Sequence, residues 1–322
     1  MITSSTPFPL APDSLEPVIQ TFLWFTFGLL ALATVIYFSI KKWYPSAHSK
    51  EVGLRIKTWW YIVVAFYFGV VFDRTFALCL FAFICFMAFK EYLSIAPIRR
   101  SDREALLWAY MSIPITFYLI SINWYGLYII FIPLYMFLIL ATRTVLKGET
   151  KGFLYSVGSL HWGLMTSVFC LSHAAYLLVL PDDSNLSHSG IALLYYLLFL
   201  TQINDISQYL WGKSIGKRKI IPKVSPNKTW EGFLGGVLVT TALAVWMGPL
   251  LTPLTVFHSF WAGVLIGVGG FLGDVTISAL KRDAGVKDTG ALLPGHGGIL
   301  DRLDSLVFTA PLFFHYIRYL YY

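Results

Sequence analysis

Residues 273–305 read GDVTISALKRDAGVKDTGALLPGHGGILDRLDS. Five carboxylates, four Lys/Arg, two Ser and a Gly-rich turn around His296 share that stretch. One apolar run leads into it and another follows. Ionisable groups at a membrane boundary are costly to keep, and their default reading is functional. Carboxylates hold hard divalent cations, bases hold phosphate, and glycines let backbone N–H groups close on an anion. The combination points to metal-assisted phosphoryl chemistry at a membrane surface.

Three groups carry that chemistry. Asp274, Ser278 and Lys281 are spaced i, i+4, i+7 and share one helical face, with Arg282 beside them. Gly267, Gly269, Gly270 and Gly273 lead in, small residues that admit a close neighbour. Asp301, Arg302, Asp304 and Ser305 open the next apolar run. A helix dipole accounts for one acid there, but not for two flanking Arg302. Between these groups lies LPGHGG, residues 293–298. Its turn could form an anion nest from the N–H groups of Gly297 and Gly298, with His296 as an acid–base group or phosphate donor. The third group is the loop 212–230, GKSIGKRKIIPKVSPNKTW. Its six bases and three hydroxyl residues make a polyphosphate cradle, to which Lys213, Ser225, Asn227, Lys228 and Thr229 belong. Upstream, Asn204 and Asp205 interrupt the apolar run 190–211. A carboxylate inside a span needs a partner, here a metal or a loop lysine. His161 and His173, alone in apolar runs, are read as packing groups.

The elements that must position these groups are membrane helices. Of 322 residues, 57% are hydrophobic and 13% charged, about half the charge of an ordinary soluble domain. The apolar residues lie in long runs, so the chain reads as an all-α integral membrane protein. Ten spans are predicted, near 18–40, 59–72, 75–89, 105–122, 124–142, 153–180, 190–211, 232–250, 255–273 and 303–321. The second and third are short, and a polar turn at Asp73-Arg74 joins them as two spans or a re-entrant hairpin. Residues 1–180 form the N-terminal helices. Residues 181–322 form the catalytic region, with loops 212–230 and 281–302.

Charge sets the orientation. Alternate loops, 41–58, 90–103, 143–151, 212–230 and 281–302, hold 22 of the 24 Lys/Arg. By the positive-inside rule these are cytoplasmic, both termini are outside, and the site faces the cytoplasm. The net charge of +7 is spread over these loops, which excludes nucleic acid as the partner. The first seventeen residues lack Lys and Arg, unlike a secretory leader, so 18–40 reads as a retained span. Cys79, Cys85 and Cys170 sit in apolar runs and suggest neither disulfides nor zinc.

The C-terminal residues resemble the phosphatidate cytidylyltransferase family. The likeness rests on Ser278-Ala279-Leu280-Lys281-Arg282, Lys287-Asp288, His296-Gly297-Gly298 and Asp301-Arg302-Leu303-Asp304. Ser225-Pro226-Asn227-Lys228-Thr229-Trp230-Glu231-Gly232 also looks like a block of that family. The likeness covers roughly the last 120 residues. One departure is Asp205-Ile206-Ser207-Gln208-Tyr209, where the family often has a small residue in place of Gln208.

The resemblance implies that CTP and phosphatidate, drawn from the membrane lipids, yield CDP-diacylglycerol and pyrophosphate. It implies Mg²⁺ on Asp274 and Asp301, with room for a second cation. Lys281, Arg282, Asp304 and His296 would be catalytic. Asp205, Ser278, Lys287, Asp288, Gly297, Gly298, Arg302 and the cradle would bind substrate. The expected location is a bacterial inner membrane, and a homodimer counts among the expected assemblies. A related CTP-dependent lipid enzyme, of the CDP-archaeol synthase or polyprenol kinase type, is the second reading. A transporter is the third.

Overall fold

A computed structural model describes residues 17–43, 47–96, 103–148, 150–180, 190–290 and 297–322. The regular elements among them are helices: α1 (Pro17–Trp43), α2 (Ala47–Phe72), α3 (Arg74–Ile95), α4 (Arg103–Ser121), α5 (Tyr125–Val145), α6 (Phe153–Val179), α7 (Gly190–Ser214), α8 (Trp230–Leu251), α9 (Val256–Asp283), the single turn α10 (Leu300–Leu303) and α11 (Leu306–Tyr321). A spanning backbone must satisfy its own polar groups, and a helix does so within one segment.

Local sequence sets several boundaries. Asp73 caps α3 by accepting from the Thr75 N–H at 3.1 Å. Thr229 caps α8 through the Gly232 N–H at 3.2 Å, and Thr255 caps α9 through the His258 N–H at 3.3 Å. Such caps satisfy donors that the first turn leaves unpaired. Pro133 lies inside a π-helical stretch of α5, Phe131–Met136. Its missing N–H and its ring break the regular ladder there.

Eight helices are long and apolar enough to cross a membrane: α1 and α3 through α9. The chain is an integral membrane protein of all-α class. Ten spans were expected, and α2 and α11 fall outside the eight; α11 has only 16 residues. The expected short pair 59–72 and 75–89 is corrected. Those stretches belong to a hairpin of longer helices, α2 with 26 residues and α3 with 22.

The core is continuous. Phe89, Tyr128 and Tyr176 join Tyr196, Phe313 and Phe314 in one buried cluster, so regions 1–180 and 181–322 share a core. Helices α7, α8 and α9 make the tightest group, through small residues at their contacts. Gly273 decides where the site forms. A Cβ there would collide with the carbonyl of Asp304, so only glycine lets α9 meet the start of α11.

The connecting segments sort into two ends. At one end the Arg282 Nε donates to the Val224 carbonyl at 3.2 Å, and the Leu300 N–H donates to Glu91 at 2.9 Å. Lys147 pairs with Glu104 at that end. At the other, Tyr176 donates to Asn123 at 2.8 Å and His258 meets the Tyr321 hydroxyl at 3.2 Å. The Arg318 guanidinium there lies over the Tyr125 ring, 3.6 Å from its centroid.

Candidate active site

Helix α7 supplies one wall. Thr201, Asn204, Asp205 and Gln208 recur at i, i+3, i+4, i+7 and share a face. Each finds a partner elsewhere. The Thr201 hydroxyl meets that of Thr309 on α11 at 3.0 Å. Asn204 donates to the Gly267 carbonyl of α9 at 3.2 Å and accepts from Thr240 of α8 at 3.3 Å. Asp205 accepts from the Ser305 hydroxyl at 2.8 Å. Gln208 accepts from Lys228 at 3.1 Å. The partner that a carboxylate within a span requires is thus a hydroxyl, with a lysine close by.

Lys228 crosses from the loop to α9. Its ammonium lies 2.5 Å from Asp274, and both side chains are largely buried. Burial alone would push the lysine pKa down. The carboxylates of Asp274 above all, then Asp205 and Asp304, outweigh it and hold the value above the ordinary lysine range. Ser278 donates to the other oxygen of Asp274 at 3.3 Å, one turn along α9, as the i, i+4 spacing requires. Asp205, Gln208, Lys213, Ser225, Asn227, Lys228, Thr229 and Asp274 all line a cavity of about 540 Å³.

A second cluster surrounds Asp301. Lys281 donates to one carboxylate oxygen at 2.7 Å. The other accepts the Thr289 N–H at 2.8 Å, the Thr289 hydroxyl at 3.0 Å and the Gly298 N–H at 2.9 Å. Burial would raise the Asp301 pKa. The donors, Lys281 first, overcome it and hold the carboxyl below its usual range. Gly297 takes φ +81°, a left-handed conformation that suits glycine and turns the following N–H toward Asp301.

Glu91, at the end of α3, completes this cluster and is absent from the sequence-derived site. One of its oxygens accepts from the Leu300 N–H at 2.9 Å and lies 3.4 Å from the Thr289 hydroxyl, whose proton goes to Asp301. The other is buried and has no partner among the described residues. Its only sequence signal is its place as one of two acids, with Asp102, in the basic segment 90–103.

The remaining expected residues sit differently. Arg282 is exposed and ties the Val224 and Val286 carbonyls. Lys287, Asp288 and Arg302 are exposed and do not line the cavity. Asp304 adjoins the carbonyl contact with Gly273 and accepts from its neighbour's N–H, that of Ser305, at 2.9 Å. His296 lies outside the described residues.

The donor chemistry fits a hard divalent cation at Asp274, whose carboxylate opens on the cavity and takes an ammonium there. Among the described residues no three His, Cys, Asp or Glu side chains are close enough to enclose a metal. Mg²⁺ commonly takes one or two carboxylates and completes its shell with substrate phosphates and water, so the two facts agree. Asp301 already accepts from Lys281 on one oxygen and from Thr289 and Gly298 on the other, so protein donors engage it where Asp274 is open to the cavity.

The chain that builds this buried carboxylate–lysine centre is similar to known proteins. The cytidylyltransferase family model matches residues 53–320. The chain belongs to that family and is a nucleotidyltransferase. Among relatives, it is 50% identical over 293 residues to uncharacterized protein YnbB of Escherichia coli, covering 91% of this chain and 96% of that one. It is 37% identical over 184 residues to the phosphatidate cytidylyltransferase of Bacillus subtilis, covering 57% of this chain and 66% of that enzyme. For the phosphatidate cytidylyltransferase of Haemophilus influenzae the values are 39% over 144 residues, 40% and 46%. The chain spans from about half to two thirds of the length of these two enzymes.

Proposed function

We propose that the chain transfers cytidylate from CTP to phosphatidate, forming CDP-diacylglycerol and pyrophosphate. The observation that carries this reading is the shared cavity of the 212–230 cradle and Asp274, in a chain built of membrane helices. An oxygen of the lipid phosphate attacks the α-phosphorus of CTP. The bond from that phosphorus to the bridging α–β oxygen breaks, and pyrophosphate leaves with the electron pair. A phosphomonoester has a second pKa near ~6, so the nucleophile is largely dianionic at neutral pH. It needs little general-base help.

The difficulty is bringing two anions together. Lys228, held charged at the cavity wall, offers its ammonium to phosphate oxygens. Lys213, Ser225 and Asn227 line the mouth and supply further cation and hydrogen-bonding groups. Asp274, with Asp304 beside it, would hold Mg²⁺, which would supply charge neutralisation on the phosphates when bound. Lys281 and Asp301 fix Thr289 and Gly298 at the end of α9 that carries the site.

The segments at the site end of the molecule are the basic ones, which supports a cytoplasmic site that CTP reaches directly. The test is purified protein with CTP, phosphatidate and Mg²⁺, scored for CDP-lipid and pyrophosphate. Product from a polyprenol or an archaeol-type lipid, and none from phosphatidate, would overturn the lipid assignment.

A further inference from the structure

The polar face of α7 contains one group that the transfer chemistry above leaves unused. Gln208 is 4% exposed, yet it lines the 540 Å³ cavity. Its carbonyl oxygen accepts from Lys228 at 3.1 Å. That bond fixes the orientation of the amide, because the flipped group would set its NH₂ against an ammonium. The amide nitrogen is buried and has no partner among the described residues. Native structures rarely leave a buried donor unmet, since doing so costs the desolvation of the group. The chain has also made room for this side chain. A Cβ at Gly236 on α8 would overlap the Gln208 Cγ. An amide that is accommodated, oriented and unpaired beside Lys228 and Asp274 is placed to meet a ligand.

We propose that the Gln208 NH₂ donates to a phosphate oxygen of bound substrate, making Gln208 a substrate-binding residue of this chain. The inference rests on the reading of the cavity as a phosphate site. Its neighbours define the acceptor. Lys213, Lys219 and Lys228 line the same cavity, so an anionic oxygen is favoured there. Two sources could supply it, the triphosphate of CTP and the phosphate of the lipid. Where the family often has a small residue at this position, that donor would be missing.

The test is equilibrium binding to the full-length protein in detergent, which requires no turnover. Labelled CTP with Mg²⁺ and a short-chain phosphatidate are titrated separately. Gln208→Met keeps the size of the side chain and removes the amide. We expect affinity for one of the two ligands to fall about tenfold or more. The ligand that loses affinity identifies the source of the oxygen. Affinities within twofold of the parent for both ligands would overturn the proposal. Failure of the unaltered protein to bind either ligand would sink the phosphate-site reading and this inference together. Retained thermal stability of Gln208→Met confirms that the comparison is made on folded protein.

Discussion

Lys228 and Asp274 meet at 2.5 Å from elements 46 residues apart in sequence, one from a loop and one from a helix. The pair joins the phosphate cradle to the acid that would hold a metal. Removing the acid would therefore remove the proposed cation ligand and unpair the lysine in one step.

Asp274→Asn should lower turnover ~10²-fold or more, the scale expected for one preorganised charge at a phosphoryl centre. Both residues remain partly open to the cavity, so the fold should survive. Initial rates and the melting temperature in detergent check this. Turnover within threefold of wild type would remove Asp274 from the centre.

Asp301→Asn should behave differently. Asp301 is buried and organises Lys281, Thr289 and Gly298. Leaving Lys281 without its counter-charge costs ~3–5 kcal/mol in a buried setting. Activity and melting temperature should fall together. A variant that is inactive but melts like wild type would make Asp301 a direct reaction group instead.

The same carboxyl predicts an acid limit. Its folded pKa lies below the ordinary value, so its stabilisation is complete above the unfolded pKa of ~3.9 and is lost as pH falls through the folded value. The stability gap between wild type and Asp301→Asn should hold from neutral pH to about pH 4–5 and close below. A gap that closes near pH 6 would contradict the depressed value.

Glu91→Ala should slow turnover by about tenfold, because it frees the Leu300 N–H that holds the start of α10. Glu91→Gln keeps an acceptor and should recover most of the rate. Equal loss in both variants would mean that the charge of Glu91, and not its hydrogen bonds, matters.

A cysteine at Ser225 should resist an impermeant thiol reagent applied outside intact cells, and one at Ser121 should react. Ser121 ends α4 at the Asn123–Tyr176 end of the molecule, opposite the site. The reverse pattern would place the cavity on the wrong side for CTP.

Local spacing made part of the site legible. Asp274 and Ser278 stand one turn apart and do bond. Lys281 shares their face but turns to Asp301, a partner 20 residues on that helical period does not mark. The aromatic surroundings of His173 agree with its reading as a packing group. Glu91 was illegible for a physical reason. It meets Leu300 across 209 residues, and nothing periodic in α3 marks it. The pairing of Gln208 with Lys228 is hidden in the same way. The sequence shows an odd residue beside an acid, and only the packing of α7 on α8 shows what it faces.

The five polar partners of α7 have a mechanical consequence. Thr201, Asn204, Asp205 and Gln208 lock the helix to α11, to α8 and α9, to Ser305 and to the loop lysine at successive levels. Sliding or turning such a helix would break all five attachments at once, so it has no soft mode of its own. By contrast, residues 217–224 are held by exposed ties, Glu231 to the Lys217 and Arg218 N–H groups and Arg282 to Val224. Helix α7 is thereby the fixed wall of the cavity, against which that basic stretch opens at lower cost.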